Sequence, residues 1–280
     1  MLQVFDFTMT ASLLINGQPH THLPVADRAF QYGDGVFTTI RVREGMPEFW
    51  PLHKQRLQQG LERLGIVFSQ WQQVSQSVHD LASSHVGAVV KVLISRGVGG
   101  RGYLPAKQMQ ANWIVSQHPL PEHYTDWRLQ GITLGQSEIQ LARQPLLAGI
   151  KHLNRLEQVL IRQHVHQQGW DDALVCDTDN MLVETSVANL FWQLGHCWYT
   201  PDLQFAGVEG VIRRLLIDHL QHKGHQVHQV RATPQVLMQA SSVLICNSLM
   251  GIVPVRQIGK QVYPMDTARQ LNKECFGEQN

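Results

Sequence analysis

The residue in this chain with the clearest potential for covalent chemistry is Lys151, one of only seven lysines. It follows the apolar run Leu146-Leu147-Ala148-Gly149-Ile150 and precedes a segment, Leu153 to His166, whose spacing predicts a helix. An amine held there is partly desolvated, which disfavours its charged form and lowers its pKa toward nucleophilic use. On these residues alone, a solvated lysine near a helix start is the plainer alternative. Gly97-Val98-Gly99-Gly100-Arg101-Gly102 has the spacing of a dinucleotide-binding turn, and it follows a strand. Such a turn needs its last glycine to open a helix. Tyr103-Leu104-Pro105 follows instead, so the segment is expected to be a loop that presents Arg101 and Tyr103. His219, His222, His225 and His228 recur at a spacing of three, but Gly224 interrupts the helix that would gather them. No HExxH pattern or paired cysteines support a metal, and no serine-hydrolase elbow or P-loop is present.

The elements that must carry these residues follow from periodicity. Leu13-Leu14-Ile15 runs as a strand into the tight turn Asn16-Gly17, and Val36 to Val42 is a second strand. Helices are expected over His53 to Leu64, with leucines at 57, 61 and 64, and over Trp71 to Leu81. Ala88 to Ile94 and Trp113 to Ser116 complete an α+β first half that ends near Pro119-Leu120-Pro121. The second half begins with Gly131 to Leu134. The predicted helix at Leu153 to His166 follows, with Leu156, Val159, Leu160 and Val165 on its apolar side. Strands at Ala173 to Asp177 and Met181 to Trp192 join through Asp179-Asn180. A helix from Gly210 to Lys223 stops at Gly224, a strand spans Val227 to Arg231, and a short helix starts at Pro234. A strand at Val243 to Asn247 and a helix around Thr267 to Cys275 end the chain. The expected organisation is two α+β lobes with a cleft between them, over residues 1–120 and 121–280.

Composition narrows the partners. With 43% apolar and 16% charged residues, the chain is that of an ordinary folded protein. A net charge of +1 without a polybasic block gives no electrostatic case for nucleic acid or an anionic membrane. Apolar runs are strand-sized, Asp6 breaks any signal-peptide pattern, and four dispersed cysteines suit reduced thiols. A cytoplasmic location is expected.

Four ordered segments carry a resemblance to a known family. They are Gly149-Ile150-Lys151-His152-Leu153-Asn154; Leu182-Val183-Glu184-Thr185-Ser186-Val187-Ala188-Asn189-Leu190-Phe191; Gly207-Val208-Glu209-Gly210-Val211-Ile212-Arg213; and His53-x-x-Arg56-Leu57. Together they resemble the fold-type-IV pyridoxal-phosphate enzymes, which include branched-chain and D-amino-acid aminotransferases and aminodeoxychorismate lyases. Asp27 to Thr39, Ser95 to Tyr103 and Leu147 to Glu157 are most similar to the lyases. Met1 to Thr10 looks like additional sequence before the usual start. The resemblance implies a D-amino-acid-aminotransferase-like fold: a smaller N-terminal α/β lobe, and a larger C-terminal β-barrel-like lobe with helices that binds the cofactor.

The same resemblance implies roles. Lys151 would hold pyridoxal 5'-phosphate and, once displaced, transfer protons, while Glu184 would face the pyridine nitrogen. The phosphate would meet Arg56 and the backbone N–H groups of Val211 and Ile212, at a helix start whose dipole suits an anion. Asn247-Ser248 would complete the cradle, although a short polar pair at a strand end is also turn chemistry. Ser186 and Asn189 would lie near the ring. The implied substrate, aminodeoxychorismate, has two carboxylates, for which Arg101 and Arg96 are candidate partners and Arg28 a third. Thr38 is a candidate acid or positioning hydroxyl, with Thr39 pointing the opposite way along its strand. The products would be 4-aminobenzoate and pyruvate, a step in folate biosynthesis. The alternatives are an aminotransferase of branched-chain or D-amino acids, a binding protein on the same fold that has lost its chemistry, and a nicotinamide enzyme using the glycine loop. A homodimer is expected because relatives are homodimers.

Overall fold

The computed structural model describes residues 13–84 and 88–277 of the chain, and the segment Met1 to Thr10 lies outside them. Two compact units divide the chain, Met1–Leu120 and Pro121–Asn280.

In the first unit, β1 (Leu13–Ile15) turns through Asn16 and Gly17, both at positive φ, into β2 (Gln18–Pro19). A short helix α1 (Arg28–Tyr32) leads to β3 (Gly35–Arg43), β4 (Met46–Pro47), α2 (Trp50–Leu64) and α3 (Trp71–Ser83). β5 (Ala88–Ser95) and β6 (Asn112–Pro119) close the sheet in the order β2-β1-β6-β5-β3-β4, antiparallel throughout. Alternation decides which face is covered. Val36, Thr38, Ile40 and Val42 of β3 are buried, and Phe37, Thr39, Arg41 and Arg43 lie on the opposite, half-exposed face. Leu57 and Leu61 of α2 and Val74, Val78 and Leu81 of α3 pack into the core with Val36, Ile40 and Trp113. Each such aliphatic side chain contributes roughly 1.5–3 kcal/mol by leaving water.

The second unit begins with α4 (His123–Gln130) and β7 (Ile132–Gln136), then α5 (Leu156–Gln168), β8 (Asp172–Cys176), β9 (Leu182–Thr185), β10 (Asn189–Leu194) and β11 (Cys197–Pro201). α6 (Val211–His222), β12 (Gln226–Val230), a 3-10 turn (Pro234–Gln239), β13 (Ser242–Asn247), β14 (Gly251–Ile258), β15 (Gln261–Val262) and α7 (Asp266–Phe276) follow. The mixed sheet runs β12-β11-β10-β13-β14-β7-β8-β9, with β15 paired to β14.

Several elements differ from the sequence reading, which left α1, α4, β11 and β14 unassigned. The strand expected over Met181 to Trp192 is broken at Ser186-Val187-Ala188. Thr185 and Ala188 bond to each other through backbone and hydroxyl, and these local bonds replace the ladder. The break sends β10 to pair with β13 while β9 stays with β8. β14, a stretch the sequence reading left unassigned, contains Pro254, a residue usually kept out of central strands. Its pairing with β7 begins only at Val255, so the missing N–H of Pro254 costs no ladder bond there. α5 starts at Leu156 rather than Leu153, and its apolar residues divide between two faces. Ile161 and Val165 are buried against Ala173, Val175 and Val183, whereas Leu156, Val159 and Leu160 are 79%, 50% and 51% exposed. A helical period tells which residues share a face but not what covers it.

Candidate active site

The second unit brings three of the predicted groups together. Lys151 lies in the loop before α5, fastened at Gly149, whose N–H donates to Gly207 O at 2.9 Å and whose carbonyl accepts from Glu209 N at 2.9 Å. The lysine loop and the 207–210 turn are thus zipped side by side. Glu184, in β9, is buried, and its Oε2 accepts the Val208 N–H at 2.9 Å. Burial pushes the Glu184 carboxyl above its ordinary range. The Val208 N–H and the positive charges of Arg155 and Lys151 oppose that shift, and Asp172 adds to it. A buried carboxylate of this kind is suited to a ring nitrogen that carries a proton.

The 207–210 turn delivers the start of α6. Asn189 clamps it from β10, its Nδ2 donating to Val208 O at 2.8 Å and its Oδ1 accepting from Gly210 N at 3.1 Å. Gly210 is the N-cap, no side chain caps the helix, and the first-turn N–H groups of Val211 and Ile212 point out of its positive end. An anion fits there. Lysine, buried carboxylate and anion-receiving helix start together match the reactive aldehyde, ring nitrogen and phosphate of pyridoxal phosphate.

Gly207 makes this geometry possible. Its φ is +87°, and a Cβ would lie 2.5 Å from Val183 Cγ1 and 2.9 Å from Leu203 Cδ2. Gly207→Ala is therefore expected to destabilise the protein by roughly 2–4 kcal/mol, combining left-handed strain with overpacking. A melting temperature lower by several degrees, together with weaker cofactor uptake, would report it; an unchanged melt and unchanged uptake would refute it.

Other predicted residues of this unit serve as supports. Ser186 Oγ donates to Asp172, whose Oδ1 also accepts the Ser186 N–H at 3.2 Å. Asn247 is engaged in the turn after β13. Its Oδ1 accepts from Leu249 N and Met250 N, each at 2.9 Å, and its Nδ2 donates to Val187 O at 3.1 Å. That is the turn chemistry weighed above for the pair; Ser248 lies in the same turn.

The first unit holds the remaining candidates. Thr38 is fully buried, and its hydroxyl oxygen accepts from Arg56 Nη2 and lies 2.6 Å from His53 Nδ1. So placed, it is in position to orient Arg56. Arg28 and Arg96 are each engaged by groups of their own unit. Arg28 donates from Nε to Asp34 and from its two terminal nitrogens to Gly102 O and Tyr103 O, at 2.8–2.9 Å. Arg96 donates to Asp34 at 2.7 Å, and to Gly65 O and Leu64 O at the C-terminal end of α2. Burial works against a charged Asp34, but hydrogen bonds and charge from Arg96 and Arg28 hold it below the usual carboxylate range. Arg28 thereby ties down the glycine loop, and Arg96, the residue before it, is tied to the end of α2. Arg101 stands exposed on that loop, and no helix follows Gly102, so the dinucleotide reading fails.

Among the described residues, no cluster of His, Cys, Asp and Glu could hold a metal. His219 bonds Glu274, and His228 packs against Tyr199. No helix among them is long and apolar enough to cross a membrane. The four cysteines are unpaired, and burial pushes Cys176 up to about 11 and Cys246 up to about 12, so neither is a ready nucleophile.

The profile of the Amino-transferase class IV family matches residues 35–258. The chain belongs to this family. Among class IV proteins, it is 41% identical over 244 residues to an aminodeoxychorismate lyase of Vibrio harveyi, covering 87% of this chain and 90% of that one. The crystal structure of 4-amino-4-deoxychorismate lyase from Pseudomonas aeruginosa superposes with a TM-score of 0.90 at 34% identity, covering 95% of this chain and all (100%) of that one. A hypothetical aminotransferase from Mycobacterium tuberculosis in its PLP-bound form reaches 0.81 at 19% identity, over 94% and 98% of the two chains. That likeness shares the fold. The class IV fold is the α+β, fold-type-IV architecture expected from the motifs. What the motifs left open was how Arg155, Asn189 and Gly207 build the site. Arg155 and Gly207 stood inside the quoted segments without a role, and Asn189 was placed only near the ring.

Proposed function

We propose that this protein is a pyridoxal-phosphate-dependent lyase that converts 4-amino-4-deoxychorismate to 4-aminobenzoate and pyruvate. The observation that carries the reading is Lys151, Glu184 and the open start of α6 gathered around one turn, in a chain 41% identical to a lyase of that specificity. When bound, the cofactor supplies an electron-accepting ring beside the substrate's amine-bearing carbon.

The protein's own groups do the rest. Val211 and Ile212 offer N–H donors to the phosphate, and Glu184 holds the ring nitrogen's proton. The family resemblance assigns Arg56 to the phosphate as well, and Thr38 keeps its guanidinium in place. Lys151 would hold the cofactor and, once displaced by the substrate's amine, take the proton from the amine-bearing carbon. The adjacent C–O bond breaks, its electron pair leaving with enolpyruvate, and the six-membered ring becomes aromatic. Enolpyruvate takes up a proton to become pyruvate. Arg101 is the exposed arginine proposed to grip a substrate carboxylate as a planar fork.

Purified protein should be yellow, and pyruvate should appear in a lactate-dehydrogenase-coupled assay on enzymatically generated aminodeoxychorismate. Stoichiometric amino transfer from amino acids to 2-oxoglutarate, without pyruvate from aminodeoxychorismate, would replace this reading by the aminotransferase one.

A homodimer in the cytoplasm is part of the proposal. The exposed apolar stripe Leu156-Val159-Leu160 supports it, beside an open groove of about 800 Å³ lined by Arg162, His166 and Val187. Sedimentation at twice the 31.8 kDa chain mass is expected, with Leu160→Asp shifting it toward monomer. A wild-type monomer at micromolar concentration would refute it.

A further inference from the structure

Arg155 is the charged residue of the site that the steps above leave unused. It stands just before α5, and its guanidinium turns back along the chain. Nε donates to His152 O at 2.8 Å, and Nη2 donates to Ile150 O at 3.2 Å. These two carbonyls flank Lys151 on either side. One planar fork therefore ties down the 150–151 and 152–153 peptide groups, one on each side of Lys151, which a single-point ammonium could not do.

The same guanidinium supplies charge. Among the positive groups acting on Glu184, Arg155 outweighs Lys151. Glu184 and Glu157 in turn support the charge on Arg155 against its burial. The neighbouring imidazole offers no substitute. Burial, Arg155 and Lys151 push His152 down to about 4, and its Nδ1 is buried without a partner.

These facts matter because Lys151 cannot serve two purposes at once. An amine that is to take a proton must be neutral, and its own positive charge then no longer acts on Glu184. An arginine keeps its charge throughout. We propose that Arg155 is a positioning residue for Lys151, holding its backbone from both sides while supplying the permanent positive charge that lets the lysine be neutral beside an ionised Glu184. The inference rests on the role of Lys151 proposed above.

Two variants of the holoenzyme separate the fork from the charge. Arg155→Lys keeps the charge and loses the fork. It should lower kcat roughly 10- to 100-fold with KM little changed, because a misaimed base costs rate rather than affinity. The pH at which the bound-cofactor absorbance band titrates should stay in place. Arg155→Met loses both, and the band should titrate about one pH unit higher, because removing a nearby cation favours the protonated form of the cofactor-bound lysine nitrogen. If both variants keep kcat within about twofold of wild type, or if Arg155→Met leaves the titration where it was, the proposal is overturned. Should Arg155→Met fail to fold, the kcat-to-KM split of Arg155→Lys decides alone. Borohydride reduction followed by peptide mass spectrometry checks the underlying reading separately. A cofactor tag absent from the Lys151 peptide overturns both inferences, whereas a tag present with unaffected Arg155 variants overturns this one only.

Discussion

Lys151→Ala is expected to stop pyruvate release, with kcat falling by about 10³-fold or more, and to leave no cofactor that borohydride can fix to the chain. Two losses combine in one truncation. The only amine in the 149–154 loop disappears, and with it go the covalent attachment and the proton acceptor. The positive charge that helps keep Glu184 ionised is also removed, so burial acts on that carboxyl with less opposition. The fold itself should survive. The loop is held through Gly149 to Gly207 and Glu209, and through Arg155 to two carbonyls, none of which involves the lysine side chain. A folded but colourless or non-reducible protein is thus the expected phenotype. A Lys151→Ala protein that still forms a reducible cofactor adduct, or still releases pyruvate at a substantial fraction of the wild-type rate, would remove the basis for the assignment.

Glu184→Gln should lower kcat by about 10²–10³-fold while the cofactor-free protein melts at the same or a higher temperature. Glutamine has nearly the same shape and can still accept the Val208 N–H, so the turn before α6 keeps its support. It lacks the charge that holds a proton on the ring nitrogen. The stability sign follows from the direction of the shift. Burial raises the folded-state pKa of Glu184 above its unfolded value. Its contribution is therefore fully present below the unfolded pKa and is lost as pH rises through the folded pKa. Above that window the cofactor-free native state carries a buried charge whose desolvation Arg155, Lys151 and the Val208 N–H offset only in part, and glutamine removes it. Melting curves of the two cofactor-free proteins from mildly acidic to neutral pH would test this. A Glu184→Gln protein that loses stability while keeping its activity would show that the carboxyl is structural and not electronic.

The exposed face of α5 and the arginines Arg28 and Arg96 show where local reading stops. Val36 to Val42 and Ala88 to Ile94 were legible as strands because β-branched residues alternate or run together there, and α2 was legible from leucines at helical spacing. Arg28 and Arg96 looked alike as carboxylate partners because a guanidinium has the same donors wherever it stands. Folding brings Gly102, Tyr103, Leu64 and Gly65 within their reach, and those carbonyls take the donors. Thr38 was correctly separated from Thr39 by strand alternation, but the partners on its side of the sheet, His53 and Arg56, come from another element.

Residue order by itself determined the lysine, the glutamate, the glycine turn before α6 and the family to which they point, because each depends on neighbours a few positions away. Three-dimensional packing alone decided that Glu184 is buried against Val208, that one arginine brackets the lysine, and that a leucine stripe on α5 faces outward. Burial and hydrogen-bond destination depend on atoms from distant segments, and no local pattern records which of them arrive.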